Sequence, residues 1–299
     1  MMKQTTIPNA RILKGIGGFY YVEAAGAVYT CRARGVFRKN GIVPLAGDRV
    51  TISVDDDPES GNNTIDVIEP RANAFVRPPV ANIDQLFIVV STVQPRPNCL
   101  LVDRLSAIAC YKHVTPVIII TKGDLAPVDE LVRIYRSSGI TTIVSGQDEK
   151  TAEAVRQLIG GKVSAFTGNS GVGKSTLINL IAPELRLQTA RISEKLGRGR
   201  HTTRTAELFS VAGGYVVDTP GFSSLDFSGG ERIPKEELAG CFPEFVPFLD
   251  ECRFTSCSHT ADQGCGVLAH LHAGEIDPSR HNSYVQLYQE ASAWKEWKK

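Results

Sequence analysis

Gly168-Asn169-Ser170-Gly171-Val172-Gly173-Lys174-Ser175 has the spacing G-x-x-x-x-G-K-[ST]. Glycines at these positions let backbone N–H groups approach phosphate oxygens, a lysine amine reaches the β- and γ-phosphates, and the serine hydroxyl ligates Mg²⁺. Thr176 follows at the start of the helix that this loop should open. Asp218-Thr219-Pro220-Gly221 carries D-x-x-G. There Asp218 could hold the Mg²⁺ through a water, and the Gly221 N–H could sense a γ-phosphate. Thr121-Lys122-Gly123-Asp124 follows the base-reading pattern N-K-x-D with threonine in place of asparagine. The Asp124 carboxylate can accept hydrogen bonds from N1 and the 2-amino group of guanine, a donor pair that adenine lacks, so GTP is expected rather than ATP. The Lys122 stem can lie over the base, and Thr121 forgoes one amide contact. Ser145-Gly146 falls where a further short base-contact segment would come.

The order of these segments is unusual. The base-reading segment precedes the phosphate loop, whereas an ordinary GTPase has it last, so the chain reads as circularly permuted. Between the phosphate loop and Asp218, the stretch from Arg191 to Arg204 holds five basic residues and one acidic one. It reads as a mobile first switch touching phosphate. Thr203 or Thr202 could complete the Mg²⁺ shell there, and Thr203 is favoured. After D-x-x-G, many small GTPases place a glutamine that orients the attacking water; here Phe222 cannot do so. His201 is the nearest polar candidate, which makes His201, Lys174 and Thr203 the expected catalytic set.

A second constellation lies near the C-terminus. Cys252-x4-Cys257-x-His259-x5-Cys265 offers three thiolates and one imidazole within a short loop. Four such ligands close a tetrahedral Zn²⁺ site with no open position, which makes the site structural rather than hydrolytic. His270, His272 and His281 lack such companions and are expected as surface or core residues. Seven cysteines, most of them isolated, fit a reducing compartment better than disulfides.

The elements that must position these residues follow from patterning. Residues 1–70 alternate β-branched and aromatic runs (Phe19 to Val22, Val28 to Cys31, Val50 to Val54) with glycine turns, as in a small barrel of the oligonucleotide-binding type. Arg32, Arg34, Arg38 and Lys39, interleaved with Tyr29 and Phe37, suit phosphate contact and base stacking. Residues 71–84 read as a linker. Strands at Leu86 to Val90, Val117 to Ile120, Thr141 to Val144 and Val163 to Phe166 alternate with helices, one of them capped by Asn98. They lead to a hairpin about Gly213-Gly214 and predict a parallel-dominated sheet with helices on both faces. A C-terminal helix is expected over 282–299, with Tyr284, Leu287, Tyr288, Ala291, Trp294 and Lys298 recurring at three and four and packing on a core. Net charge is +1, so nucleic acid would have to meet local patches. No apolar run is long enough to span a bilayer, the N-terminus lacks a signal-peptide core, and a cytoplasmic location is the default.

Taken together, the permuted order, Gly197 to Arg204 (Gly-Arg-Gly-Arg-His-Thr-Thr-Arg), Asp218 to Phe222 and the Cys-x4-Cys-x-His-x5-Cys cluster resemble the RsgA family, also called YjeQ or YloQ. The resemblance implies a multidomain α/β chain: an N-terminal OB-type barrel (1–70), a central circularly permuted P-loop GTPase domain (71–225) and a C-terminal, mainly helical zinc-binding domain (226–299). It implies slow GTP hydrolysis, faster on the small ribosomal subunit, and a role late in that subunit's maturation. The implied cofactors are one structural Zn²⁺ per chain and Mg²⁺ with GTP. The implied partners are the small (30S) subunit with its 16S rRNA, without DNA or membrane and with monomer as the default. The alternative is an RNA-binding scaffold that binds nucleotide but turns it over little. The second switch runs almost directly into the zinc domain, so γ-phosphate contact at Gly221 is expected to bias that domain's orientation.

Overall fold

Five strands close a barrel: β1 (Gln4–Ile16), β2 (Phe19–Ala24), β3 (Ala27–Ala33), β4 (Arg49–Asp55) and β5 (Thr64–Ile68), in the order β1-β2-β3-β5-β4, with β1 also pairing β4. The computed structural model describes residues 4–55, 62–146, 148–183, 185, 206–218 and 231–293, with position 218 described by its backbone only. Alternate residues Ala10, Ile12, Val22, Ala24, Cys31, Val50, Ile52 and Ile65 fill the barrel interior, the period of two expected when one face of each strand is buried. A short helix, α1 (Gly35–Lys39), inserts Phe37 into that core. Phe37 is therefore not the exposed stacking residue expected from the sequence. Phe19, over which the Arg32 guanidinium lies at 4.6 Å, occupies the outer face instead.

Residues 71–84 are not a bare linker. β6 (Ala74–Phe75) and β7 (Val80–Ala81) pair as a hairpin whose Phe75, Val80 and Ala81 are buried. The hairpin is bonded to the barrel: Asn82 donates to the Gly47 carbonyl, and Arg71 makes a two-pronged ion pair with the buried Asp48 at 2.7 and 2.8 Å. Proline and arginine spacing suggests a linker here; burial of three apolar side chains overrides it.

The central sheet has six strands in the order β10-β9-β8-β11-β13-β12. These are β8 (Gln85–Ser91), β9 (Thr115–Thr121), β10 (Thr141–Val144), β11 (Val163–Thr167), β12 (Glu207–Val211) and β13 (Gly214–Asp218); only the β12–β13 pair is antiparallel. β8, β9 and β11 are apolar along most of their length because both faces are covered. Leu86, Ile88 and Val90 point toward α2 (Cys99–Tyr111) and α3 (Asp129–Ser137). Phe87 and Val89 point toward α4 (Glu149–Ile159) and α5 (Lys174–Ile181). Asn98 caps α2 by accepting from the Leu101 N–H, as its position suggests.

The C-terminal region contributes α6 (Lys235–Leu238), α7 (Gly266–His272) and α8 (Pro278–Ser292) and lies on the α2/α3 face. α8 starts earlier than its stripe suggests, because Asp277 caps it and Pro278 occupies its first turn. Tyr284 and Leu287 are buried in the shared core, whereas Trp294 and Lys298 lie outside the described residues. Among the described residues no helix is long and apolar enough to cross a membrane.

Candidate functional site

The carboxyl ends of β8, β9, β10, β11 and β13 converge on one edge of the sheet. At the β8–β11 boundary the chain winds outward in opposite directions, and such a reversal leaves a crevice suited to a ligand. The phosphate-loop residues lie at its centre. Gly168 has φ +149°, and a Cβ there would sit 2.4 Å from the Val89 carbonyl oxygen, so only glycine lets the loop cross β8. Gly173, at φ +95°, begins α5 without a side-chain cap, and the first turn carries no acidic residue. The first-turn N–H groups and the positive end of the helix dipole are thus available to an anion. Asn169, Ser170, Gly171, Ser175 and Thr176 are solvent-exposed along this rim, while Val172 and Lys174 are buried. The Lys174 amine lies 3.3 Å from the Gly168 carbonyl, and burial lowers its pKa to about 8. A phosphate placed there would restore the charge that burial disfavours.

The base-reading segment is tied to this loop. Thr121 ends β9 as a buried residue; its hydroxyl lies 2.5 Å from the Val172 carbonyl and 3.2 Å from that of Val90. A hydroxyl has one proton, and the shorter contact takes it. The threonine that stands where asparagine is usual thus fastens the phosphate loop. The Lys122 amine donates to the Gly171 carbonyl at 2.8 Å and to the Gln94 carbonyl, while Thr92 donates to the Lys122 carbonyl at 2.6 Å. Asp124 is exposed on the same rim. Ser145, buried, donates its N–H to the Ile120 carbonyl at 2.7 Å, and the Gly146 N–H is held by the Thr151 hydroxyl at 3.1 Å. The structure therefore brings Gly168 to Thr176, Thr121 to Asp124 and Ser145-Gly146 to one edge. Thr92 and Gln94 were not legible from any motif, since they act through a hydroxyl and a backbone carbonyl.

Asp218 ends β13, which runs parallel to β11, with Val217 opposite Ala165 and Asp218 opposite Glu207 of β12. Its backbone therefore lies one strand from the phosphate loop. His201, Thr202, Thr203, Gly221 and Phe222 lie outside the described residues.

The Cys252, Cys257, His259 and Cys265 ligand atoms all lie within 4.8 Å of one another. The Sγ atoms of Cys252 and Cys265 are each 3.5 Å from His259 Nδ1. Zn–S bonds of about 2.3 Å and a Zn–N bond of about 2.0 Å at tetrahedral angles would separate S and N by about 3.5 Å. The donor set therefore fits a closed four-ligand metal site. Backbone N–H groups of Gly266 and Leu268 point at the sulfurs of Cys252 and Cys265, which favours thiolates. Burial lowers the His259 pKa, which favours the neutral imidazole a metal requires. His281, read from sequence as an ordinary core or surface histidine, donates Nε2–H to the His259 carbonyl at 2.8 Å, and Tyr284 donates to the Ser258 carbonyl at 2.8 Å. Both brace the ligand loop from α8.

The sequence profile of the RsgA GTPase matches residues 68–228, and that of the RsgA N-terminal domain matches residues 9–61. The chain belongs to the RsgA GTPase family. The protein named small ribosomal subunit biogenesis GTPase RsgA of Alkaliphilus metalliredigens is 44% identical over 284 residues, covering 93% of this chain and 96% of its own. The protein of that name from Streptococcus pyogenes is 43% identical over 286 residues, covering 94% of each. The crystal structure of YloQ, described as a circularly permuted GTPase, superposes with a TM-score of 0.80 at 33% identity over 98% of this chain and 97% of that one. That of YjeQ from Thermotoga maritima gives 0.80 at 31% identity over 98% and 100%. As an RsgA GTPase the chain is an enzyme of permuted order, with its OB-like barrel first and its Cys/His cluster last.

Proposed function

We propose that this chain hydrolyses GTP as an assembly factor of the small (30S) ribosomal subunit, binding it through 16S rRNA late in its maturation and leaving when GTP is hydrolysed. The observation that carries the reading is the fastening of the base-reading segment to the phosphate loop through Thr121 and Lys122. One rim then presents Asp124 to a guanine and the α5 N-terminus with Lys174 to its phosphates. The names of the curated relatives supply the ribosomal partner.

In this reading Gly168 to Thr176 cradle the phosphates, and Thr121, Lys122, Asp124, Ser145 and Gly146 read the base. Ser175, Thr203 and Asp218 are the residues that would hold Mg²⁺, whose charge would offset that of the phosphates. Gly221 would meet the γ-phosphate, and His201 is the candidate for orienting water. Cys252, Cys257, His259 and Cys265 would hold one structural Zn²⁺. The outer barrel face, with Arg32 stacked on Phe19 and basic Arg38 and Lys39 closing α1, suits RNA. The chain would work in the cytoplasm as a monomer.

The test is GTP turnover by the purified chain alone, with small subunits and with large subunits. Stimulation by small subunits only, abolished in Lys174→Ala, is the expected result. Equal turnover under all three conditions would remove the ribosomal trigger from the reading.

A further inference from the structure

The barrel meets the central sheet at one place that the nucleotide motifs do not explain. Its strand β1 lies against the hairpin β12–β13, the element that carries Asp218 at its end and begins at Glu207, three positions after the first-switch stretch ends at Arg204. Lys14 of β1 forms an ion pair with Glu207 at 2.6 Å, both side chains about three-quarters buried. Its amine also lies 5.1 Å from the Tyr21 ring centre, so the side chain is held on two sides. Arg11 of β1 places its guanidinium 4.9 Å from the centre of the Tyr215 ring, and the Tyr215 hydroxyl donates to Glu23. Arg11 and Glu23 are cross-strand partners in the β1–β2 ladder, so a single rung of the barrel grips Tyr215 from face and tip. Glu207, in turn, is the cross-strand partner of Asp218.

We propose that Lys14, Arg11 and Glu23 of the barrel, acting through Glu207 and Tyr215, are positioning residues for GTP hydrolysis because they fix the hairpin that delivers Asp218 to the phosphate edge. The argument is mechanical. Among the described residues β12 is an outermost strand of the sheet and pairs only with β13, so the barrel braces the hairpin's open side. The phosphate loop and base-reading segment are braced independently, through Thr121 and Lys122. Loss of the barrel contacts should therefore move Asp218 relative to a phosphate loop that stays in place. Nucleotide affinity would persist while the reaction slows. The barrel becomes part of the GTPase site, which gives any RNA bound to it a short path to the chemistry.

The inference rests on the GTPase reading, which the unaltered chain and Lys174→Ala test separately in the same assay. The informative variants, in the full-length protein, are Lys14→Ala, Glu207→Gln, the pair together, and Tyr215→Phe. Misplacement of a reacting group by about an ångström can cost up to ~100-fold; a partial shift here should lower kcat about tenfold in Lys14→Ala and in Glu207→Gln. KM for GTP and the affinity for GDP should stay within about twofold, because most of the binding is carried by the phosphate loop and the base-reading segment, neither of which is on the hairpin. The double variant should be no slower than either single one, the signature of two residues acting through one contact. Tyr215→Phe removes only the hydroxyl that donates to Glu23 and should slow kcat about threefold. Three results would overturn the proposal: unchanged kcat in the single variants, multiplied losses in the double variant, or a fall in GDP affinity matching the fall in kcat.

Discussion

The barrel and the C-terminal region both dock on the GTPase domain, but by different means. The C-terminal region shares a continuous apolar core with α2 and α3: Val102, Leu105, Ile134, Phe242, Phe245, Val267 and Tyr284 belong to one cluster. Set within it is Arg280, with no exposed surface, bonded to Asp103 at 2.7 Å and to Glu244 at 2.6 and 3.2 Å, its guanidinium 4.7 Å from the Phe242 ring centre. The barrel, by contrast, keeps its own interior cluster, and among its described residues only Leu13 and Ala46 reach the central core. Its other contacts with the sheet described above are an ion pair, a hydrogen bond and a cation over a ring. The difference indicates which junction can yield. A new orientation of the C-terminal region, the movement expected from the proximity of the second switch, would have to break a buried ion triad. The barrel can shift at the cost of a few polar contacts.

Removing the metal should give the largest effect and localise it. Structural zinc contributes on the order of 10 kcal/mol in isolated zinc-finger peptides, and here it would join 252–265 across 14 positions. Cys265→Ala should abolish zinc binding and, since Cys265 also caps α7, destabilise the C-terminal region while the barrel is unaffected. Metal analysis together with hydrogen exchange checks this; equal loss of protection in barrel and C-terminal region would refute the contrast between the junctions. Arg280→Met comes next. Burial disfavours the guanidinium charge, but Glu244 and Asp103 more than compensate and raise its pKa. Taking away the cation leaves two buried carboxylates facing each other, so about 3–5 kcal/mol of stability should be lost. Denaturant unfolding should show the central and C-terminal regions weakening as one transition, with the barrel's transition in place.

The nucleotide site lies between the junctions and provides an internal control. Thr121→Val keeps shape but leaves the Val172 carbonyl without its donor, which should cost about 1–3 kcal/mol, read as weaker GDP binding with the same melting profile of the barrel. The pH dependence has a definite sign. Lys174 titrates at about 8 when no phosphate is present, and bound phosphate favours the charged amine and raises that value. Affinity should be level below pH 8 and fall as pH rises above it, by up to about tenfold per unit, until the pKa of the complex is reached. Calorimetric titration of GDP across pH 7–10 measures it; a flat profile would mean that Lys174 does not face phosphate.

What was legible in the sequence was local chemistry. The phosphate-loop geometry, the Asn98 cap, the β12–β13 hairpin and the Cys/His cluster each depend on residues close together in the chain. The misses depend on distant partners. β1 reads as polar, with Pro8 inside it and a bulge where Asn9 takes φ +56°, and becomes a strand because β2 and β4 flank it. The 71–84 hairpin, the inward turn of Phe37 and the bracing of His259 by His281 likewise exist only once another element is present. Arg280 gave no signal at all, since a lone arginine on a helix is usually solvated.

The smallest predicted effect separates the junctions most finely. Arg104 and Glu290 form a two-pronged pair at 2.6 and 2.7 Å between α2 and α8, with side-chain exposures of 27% and 47%; the Lys14–Glu207 pair has 23% and 25%. By geometry alone the first pair looks the stronger. However, it sits at the rim of a junction already held by a shared core, and an exposed pair of this kind is worth about 0–1 kcal/mol. Arg104→Ala should therefore change stability by less than about 1 kcal/mol and leave GTP turnover unaltered. Lys14→Ala should also cost little stability, yet slow turnover, because little apolar packing beyond Leu13 holds the β12–β13 hairpin against the barrel in its absence. Comparable losses of turnover from the two substitutions would show that both junctions transmit to the site, and the contrast between a rigid dock and a yielding one would fail.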